Sequence, residues 1–242
     1  MKFYHSNLLN SFDNITHAFT TKDSGNLAFH VNDNELHVIS NHELLAKELG
    51  YEKSSLIHMK QIHSDIVHVV DKNDNFENPP TCDALITNKP NTPLMVMVAD
   101  CSPILFYDDE QKVIAVAHAG RQGAFKNIVK NVVDSFIEEF ESDVNNIHVI
   151  IGASIGSCCY EVGKEIYDEA KELDLEYAIQ KRDSSFYLDV SKILETQLLT
   201  CGIKKENIEF CNECTCCNHK KYNSYRADAK TGRFAGVLVL LG

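Results

Sequence analysis

Leu94-Met95-Val96-Met97-Val98-Ala99 and Val113-Ile114-Ala115-Val116-Ala117 are apolar at every position. A strand with one face in water alternates apolar and polar side chains. An unbroken apolar run marks a strand covered on both faces, by helices or by a second sheet. Working outward, further strands are predicted at Ser55–Met59, Ile66–Val70, Ala84–Thr87, Ile104–Tyr107, His148–Ile151 and Phe234–Leu240. Helical patterns stand between them. Phe125, Ile128, Val129, Val132, Val133, Phe136, Ile137 and Phe140 recur at three- and four-residue spacing, which predicts a helix over 123–140. Ser40-Asn41-His42-Glu43 reads as a capping box opening a short helix to Leu49, stopped by Gly50. Two more helices are predicted near 162–173 and 190–201, the latter capped by Asp189. Many strands with interspersed helices, but no regular βαβ repeat, predict an α+β fold. Asp71–Pro80 reads as a surface loop rather than a linker, so residues 1–242 are expected to form one domain.

Composition narrows the function. Of 242 residues, 44% are hydrophobic and 24% charged, the balance of a water-soluble globular chain. With 23 Lys and Arg against 35 Asp and Glu, the formal charge is −12. Nucleic acid and anionic membranes are held mainly by basic surface, so neither is expected as a partner. No apolar stretch approaches the roughly 20 residues that a membrane-crossing helix needs. Nine Cys, an odd number, follow an N-terminus without a basic-then-apolar leader pattern. They are expected to be reduced thiols in a cytoplasmic protein, available as ligands or nucleophiles.

Three segments carry candidate chemistry: Gln61-Ile62-His63-Ser64, Ala99-Asp100-Cys101-Ser102-Pro103 and Ala117-His118-Ala119-Gly120. Cys101 follows one buried strand and His118 another, and side chains at the ends of adjacent strands converge on one sheet edge. Two imidazoles and a thiolate suit Zn²⁺, with a fourth position left for water or substrate. On spacing alone the triad is weak evidence, and a buried Cys with two hydrogen-bonded His is the more ordinary reading of the same residues. Asp100 reads as a carboxylate orienting a ligand, or as a turn former. Gly120–Gly123 leads into a helix and could admit phosphate to free backbone N–H groups, or merely shape the turn. Arg121 and Arg226 are the candidate guanidinium partners of phosphate, and Asn26 a candidate for ribose or phosphate.

The ordered series Gly25-Asn26-Leu27-Ala28-Phe29-His30-Val31, Gln61-Ile62-His63-Ser64, Cys82-Asp83-Ala84-Leu85-Ile86-Thr87, Val98-Ala99-Asp100-Cys101-Ser102-Pro103, Val116-Ala117-His118-Ala119-Gly120 and Cys158-Cys159-Tyr160-Glu161-Val162 is followed by Ser224-Tyr225-Arg226 and Thr231-Gly232-Arg233. It resembles the laccase-domain family, also called multicopper polyphenol oxidoreductases and described as purine nucleoside phosphorylases. The resemblance implies an α/β/β/α sandwich and a catalytic zinc bound by His63, Cys101 and His118. It also implies phosphorolysis of adenosine, inosine and methylthioadenosine, with adenosine deamination as a second activity in the general manner of zinc deaminases. Tyr160 and Glu161 are then candidate acids beside the substrate. Purine nucleosides and phosphate are the implied partners, and the chain would act as a monomer or homodimer.

The chain departs from the family pattern in places. The family usually has Trp-Arg where Arg121-Gln122 stand, a second Arg where Ala227 stands, and Pro-Cys where Ala153-Ser154 stand. Arg121 restores one guanidinium a position early, so substrate choice is open while the metal ligands are kept. Other readings stay open as well. One is a copper-dependent polyphenol oxidase, since Cys101 also accepts copper, although none of the 11 His forms a His-X-His pair. Another is a metal-free hydrolase with Cys101 as nucleophile and His118 as base. A third is a fidelity factor of cell-wall precursor metabolism. Cys211, Cys214, Cys216 and Cys217 lack a second Cys-X-X-Cys pair at zinc-ribbon spacing and read as reduced thiols, with Cys158-Cys159 as packing or site lining.

Overall fold

The computed structural model describes residues 1–31 and 33–242. Its strands are β1 (Phe3–Tyr4), β2 (Ile15–Thr20), β3 (Val67–Val69), β4 (Ala84–Thr87), β5 (Leu94–Val98), β6 (Ser102–Asp108), β7 (Val113–Ala119), β8 (Ile147–Ile151), β9 (Glu161–Val162), β10 (Ile179–Arg182), β11 (Ser185–Leu188), β12 (Ile208–Phe210) and β13 (Phe234–Leu240). The helices are α1 (Glu35–Leu49), α2 (Arg121–Phe125), α3 (Ile128–Phe140), α4 (Lys164–Glu172) and α5 (Val190–Thr200). A mixed six-stranded sheet has the order β12-β8-β6-β7-β4-β3, and an antiparallel four-stranded sheet the order β1-β2-β13-β5. A small sheet, β10-β11-β9, lies apart from both in pairing.

The two-residue period of a strand sorts the doubly apolar runs into layers. On β6, Ile104 and Phe106 face a core shared with Val129, Val132 and Phe136 of α3 and with Ile193 and Leu194 of α5. Their neighbours Leu105 and Tyr107 face the other way, into a core shared with Phe19, Val96, Val98 and Phe234 of the second sheet. On the far side of that sheet, Met95, Met97, Ala235 and Val237 pack with Leu45 of α1. The order is therefore helices, sheet, sheet, helix: an α+β sandwich with two mixed or antiparallel sheets at its centre. Each fully buried large apolar side chain contributes about 1.5–3 kcal/mol relative to exposure, which is why both faces of β5 and β7 must be apolar.

Several boundaries differ from expectation. Helix α1 starts at Glu35, capped by the Asn34 side chain, which accepts from the Leu36 N–H at 2.9 Å. Ser40 is thus inside the helix, and its capping-box pattern is unused; the predicted stop at Gly50, left-handed at φ 75°, holds. The helix predicted over 123–140 is broken after Phe125. Asn127 takes a left-handed φ of 62° and its side chain accepts from the Lys130 N–H, so it ends one helix and caps the next. Ser55–Met59 is no strand: Ile57 bridges Leu94 at one position and the segment then turns away. Strands β1, β2, β9, β10, β11 and β12 escaped prediction because they are short or, as with His17 on β2, carry polar residues in buried positions.

Buried imidazoles, His17 and His42 foremost, make stability depend on acid. His17 accepts from the Ser6 N–H at 2.8 Å, and His42 Nε2 donates to the Leu27 carbonyl at 2.8 Å. Burial pushes both from 6.5 down to about 4. The unfolded chain therefore binds more protons than the native one between these values. Stability should be full above about pH 6.5 and fall as pH drops toward 4. The expected loss is about 3 kcal/mol per imidazole at 1.36 kcal/mol per unit. Urea midpoints followed across this window check it; a flat profile would contradict the burial argument.

Candidate active site and metal centre

The end of the six-stranded sheet gathers the chemistry. Cys101 lies in the turn from β5 to β6, where Asp100 adopts a left-handed φ of 84°. His118 is near the end of β7, paired opposite Pro103 of β6. His63 comes from the loop before β3 and is also left-handed, with φ 59°. One buried carboxylate explains how these distant segments meet. Asp83, fully buried ahead of β4, accepts the N–H groups of Ile62, His63 and Ser64 at 3.2, 3.1 and 2.6 Å. It also accepts His118 Nδ1 at 2.8 Å, while its own carbonyl accepts the His118 N–H at 2.7 Å. With Nδ1 turned to Asp83, Nε2 is the His118 nitrogen left on the side of the other two groups, and it would serve a metal by giving up its proton.

The donor atoms of His63, Cys101 and His118 lie within 4.8 Å of one another, and the two rings meet edge to face at 4.8 Å and 74°. Gly120 makes the room: a Cβ there would stand 2.6 Å from Cys101 Sγ and 3.5 Å from His63 Cδ2. Burial alone would push the Cys101 thiol up. The adjoining His118 and His63 imidazoles reverse this and hold it at about 6, so it is a thiolate at neutral pH. Burial likewise disfavours charge on His118, but Cys101 and Asp83 hold it up at about 9. Burial opposes charge on Asp83 too, and His118 and Ser64 keep it well below the usual carboxylate range. Two imidazoles and a thiolate, oriented by a buried carboxylate and open on one side, fit a borderline-soft ion such as zinc.

The open side faces a cavity of about 490 Å³, the size of a small-molecule site. Arg121, Tyr160 and Arg226 line it with the three donors. The Arg121 guanidinium pairs with Glu169 at 2.6 Å. Arg226 donates to the carbonyls of Cys159 and Glu161 at 2.9 and 3.0 Å and lies 5.3 Å over the Tyr160 ring. Burial raises the Tyr160 hydroxyl, which keeps its proton at neutral pH. Asn26 does not line the cavity. Its Oδ1 accepts the N–H groups of Ala28 and Arg233 at 3.0 and 2.9 Å. Asp100 does not touch the ligand imidazoles. Its carboxylate instead accepts Thr215 Oγ1 and the Arg226 N–H, each at 2.6 Å, so it is a turn former that ties two loops. The helix beginning at Arg121 is five residues long, so any dipole it offers the cavity is that of a single turn.

Sequence reasoning missed Asp83 and Arg233. Arg233 also lines the cavity, and its backbone is positioned by Asn26. Both residues stood inside quoted motifs, but nothing local distinguishes them from surface charges. The departures around Gly120 are also placed: Arg121 reaches the cavity, whereas Gln122 and Ala227 are exposed.

An α/β/β/α sandwich that brings two imidazoles and a thiolate together at the ends of central strands offers a possible metal site. The chain belongs to the multi-copper polyphenol oxidoreductase laccase family, whose model matches residues 16–241. It is 33% identical over 238 residues to a purine nucleoside phosphorylase of Corynebacterium glutamicum, covering 92% of this chain and 93% of that protein. It is 29% identical over 241 residues to the purine nucleoside phosphorylase YlmD of Bacillus subtilis, covering 91% and 87%. Among solved structures, the hypothetical protein YfiH of Bacillus licheniformis superposes with a TM-score of 0.89 at 30% identity, covering 96% of this chain and 94% of that one. Among the described residues, no helix is long and apolar enough to cross a membrane.

Proposed function

We propose that this chain is a cytoplasmic, zinc-dependent purine nucleoside phosphorylase. Its substrates would be adenosine, inosine and methylthioadenosine with phosphate, and adenosine deamination would be a second activity. What supports the reading is one convergence: the three clustered donor residues and Arg121, Arg226 and Arg233 all line one cavity of about 490 Å³. His63, Cys101 and His118 would hold the ion, which when bound supplies Lewis-acid polarisation. Arg121, Arg226 and Arg233 bind and orient the phosphate. A phosphate oxygen forms the new bond to the ribose C1′ as the bond to the purine nitrogen breaks. Tyr160, protonated at neutral pH, holds a proton available to the departing base. Asn26 acts through Arg233 by fixing its backbone. The nine free thiols suit a reducing compartment.

A multi-copper oxidase reading is less well supported. Among the described residues, the possible ligand groups number two, and only His63, Cys101 and His118 contains imidazole. Three donors serve one ion, not a multi-metal cluster. The deciding assay measures zinc content together with base release from the three nucleosides, with and without phosphate. Base and ribose 1-phosphate should appear only with phosphate, and inosine should form from adenosine without it. No phosphate-dependent release from any of the three would overturn the proposal.

A further inference from the structure

A second sulfur cluster lies beside the cavity. Cys158 and Cys159 stand in the turn before β9, and Cys214 and Cys217 in the loop after β12. The four Sγ atoms lie within 4.8 Å of one another, with Cys158–Cys217 at 3.6 Å and Cys159–Cys217 at 3.4 Å. All four are free thiols. These separations are far beyond the roughly 2.05 Å of a disulfide. They match a tetrahedral ion: a Zn–S bond of about 2.3 Å places sulfurs about 3.8 Å apart.

The backbone is arranged for this. Ser154 bridges Cys214, with Thr215 N–H donating to the Ser154 carbonyl at 3.0 Å, so the two loops run side by side. The Gly156 N–H donates to Cys214 Sγ at 3.3 Å, the kind of bond that stabilises a ligand thiolate. A Cβ on Gly156 would stand 3.3 Å from Cys158 Sγ, so a bare backbone lets the sulfurs close up. Cys214-X-X-Cys217 supplies one chelating pair and the vicinal Cys158-Cys159 the other. No ligand position remains open, which marks a structural rather than a catalytic centre.

We propose that Cys158, Cys159, Cys214 and Cys217 form a second, closed zinc site. It clasps the turn at 156–160 to the loop at 212–218. Its position gives it a task. Cys159 offers its carbonyl to Arg226, and Thr215, beside Cys214, holds Asp100 in the turn that carries Cys101. The clasp therefore steadies the Tyr160–Arg226 wall of the cavity without touching the first metal centre.

The test uses the full chain purified with its metal under reducing conditions. In the His63→Ala/Cys101→Ala variant, about one equivalent of zinc should remain, with four sulfurs at about 2.3 Å by X-ray absorption. Adding Cys214→Ser/Cys217→Ser should remove that zinc. The unsubstituted chain gives a readout that needs no variant to fold. There Cys158, Cys159, Cys214 and Cys217 should resist alkylation until a chelator is added, read peptide by peptide by mass spectrometry. Equal alkylation of these four with and without chelator would overturn the site. So would a Cys159–Cys217 disulfide in the reduced preparation, or zinc retention unaffected by the serine substitutions.

Discussion

Cys101→Ala should abolish phosphate-dependent release of adenine from adenosine while the chain stays folded. The substitution removes the only sulfur among the three clustered donors and the negative charge that holds His118 protonated in the metal-free site. Weakening a group that merely orients a ligand costs about 10–100-fold in metal affinity or activity, so losing a ligand itself should cost at least about 100-fold in turnover. Little packing is lost. Cys101 is half-buried at the margin of the inter-sheet core, and deleting one sulfur should cost about 1 kcal/mol of stability. His63→Ala should behave alike, because its ring hangs from a loop whose backbone Asp83 still holds. Phosphorolysis assays and urea midpoints on the same preparations check both effects. Turnover at the unsubstituted rate would remove the metal-based mechanism.

Asp83→Ala should produce the largest loss of stability of any single change around the site, about 3–5 kcal/mol, the range for breaking a buried charge pair by removing one partner. The single carboxylate satisfies three N–H groups, the Ser64 hydroxyl and the His118 ring. Removing it orphans buried donors on two segments and frees the imidazole to rotate. Asp83→Asn separates the two roles. An amide oxygen can still accept from the loop, so folding should suffer less. The lost charge should still weaken metal binding by about 10–100-fold. Urea denaturation at fixed metal concentration and chelator competition read the two quantities; equal behaviour of the Ala and Asn variants would refute the separation.

The contrast between Asp100 and Asp83 shows what was legible. Asp100 adjoins Cys101 in sequence and reads either as an orienting carboxylate or as a turn former; its bonds to Thr215 and the Arg226 N–H make it the latter. Asp83 is remote from all three donors in sequence and holds two of them in space. Chain adjacency is a poor guide here because a left-handed turn at Asp100 throws neighbouring side chains in different directions. The break at Asn127 was hidden for a related reason. The apolar spacing on both sides is helical, and only the left-handed backbone of one residue interrupts it.

Sequence alone determined the buried strands, the end of α1 at Gly50 and the Asp189 cap. These follow from local rules: apolar periodicity, the conformational freedom of glycine, and side-chain capping. Tertiary structure alone decided that β6 and β7 divide their alternate residues between a helical layer and a second sheet. It also decided that Asp83 unites the donors, that Arg233 enters the cavity, and that two cysteine pairs far apart in the chain meet. Each of these rests on contacts between segments distant along the polypeptide. Their distances are set by how sheets stack and loops return, which no local pattern of residues encodes.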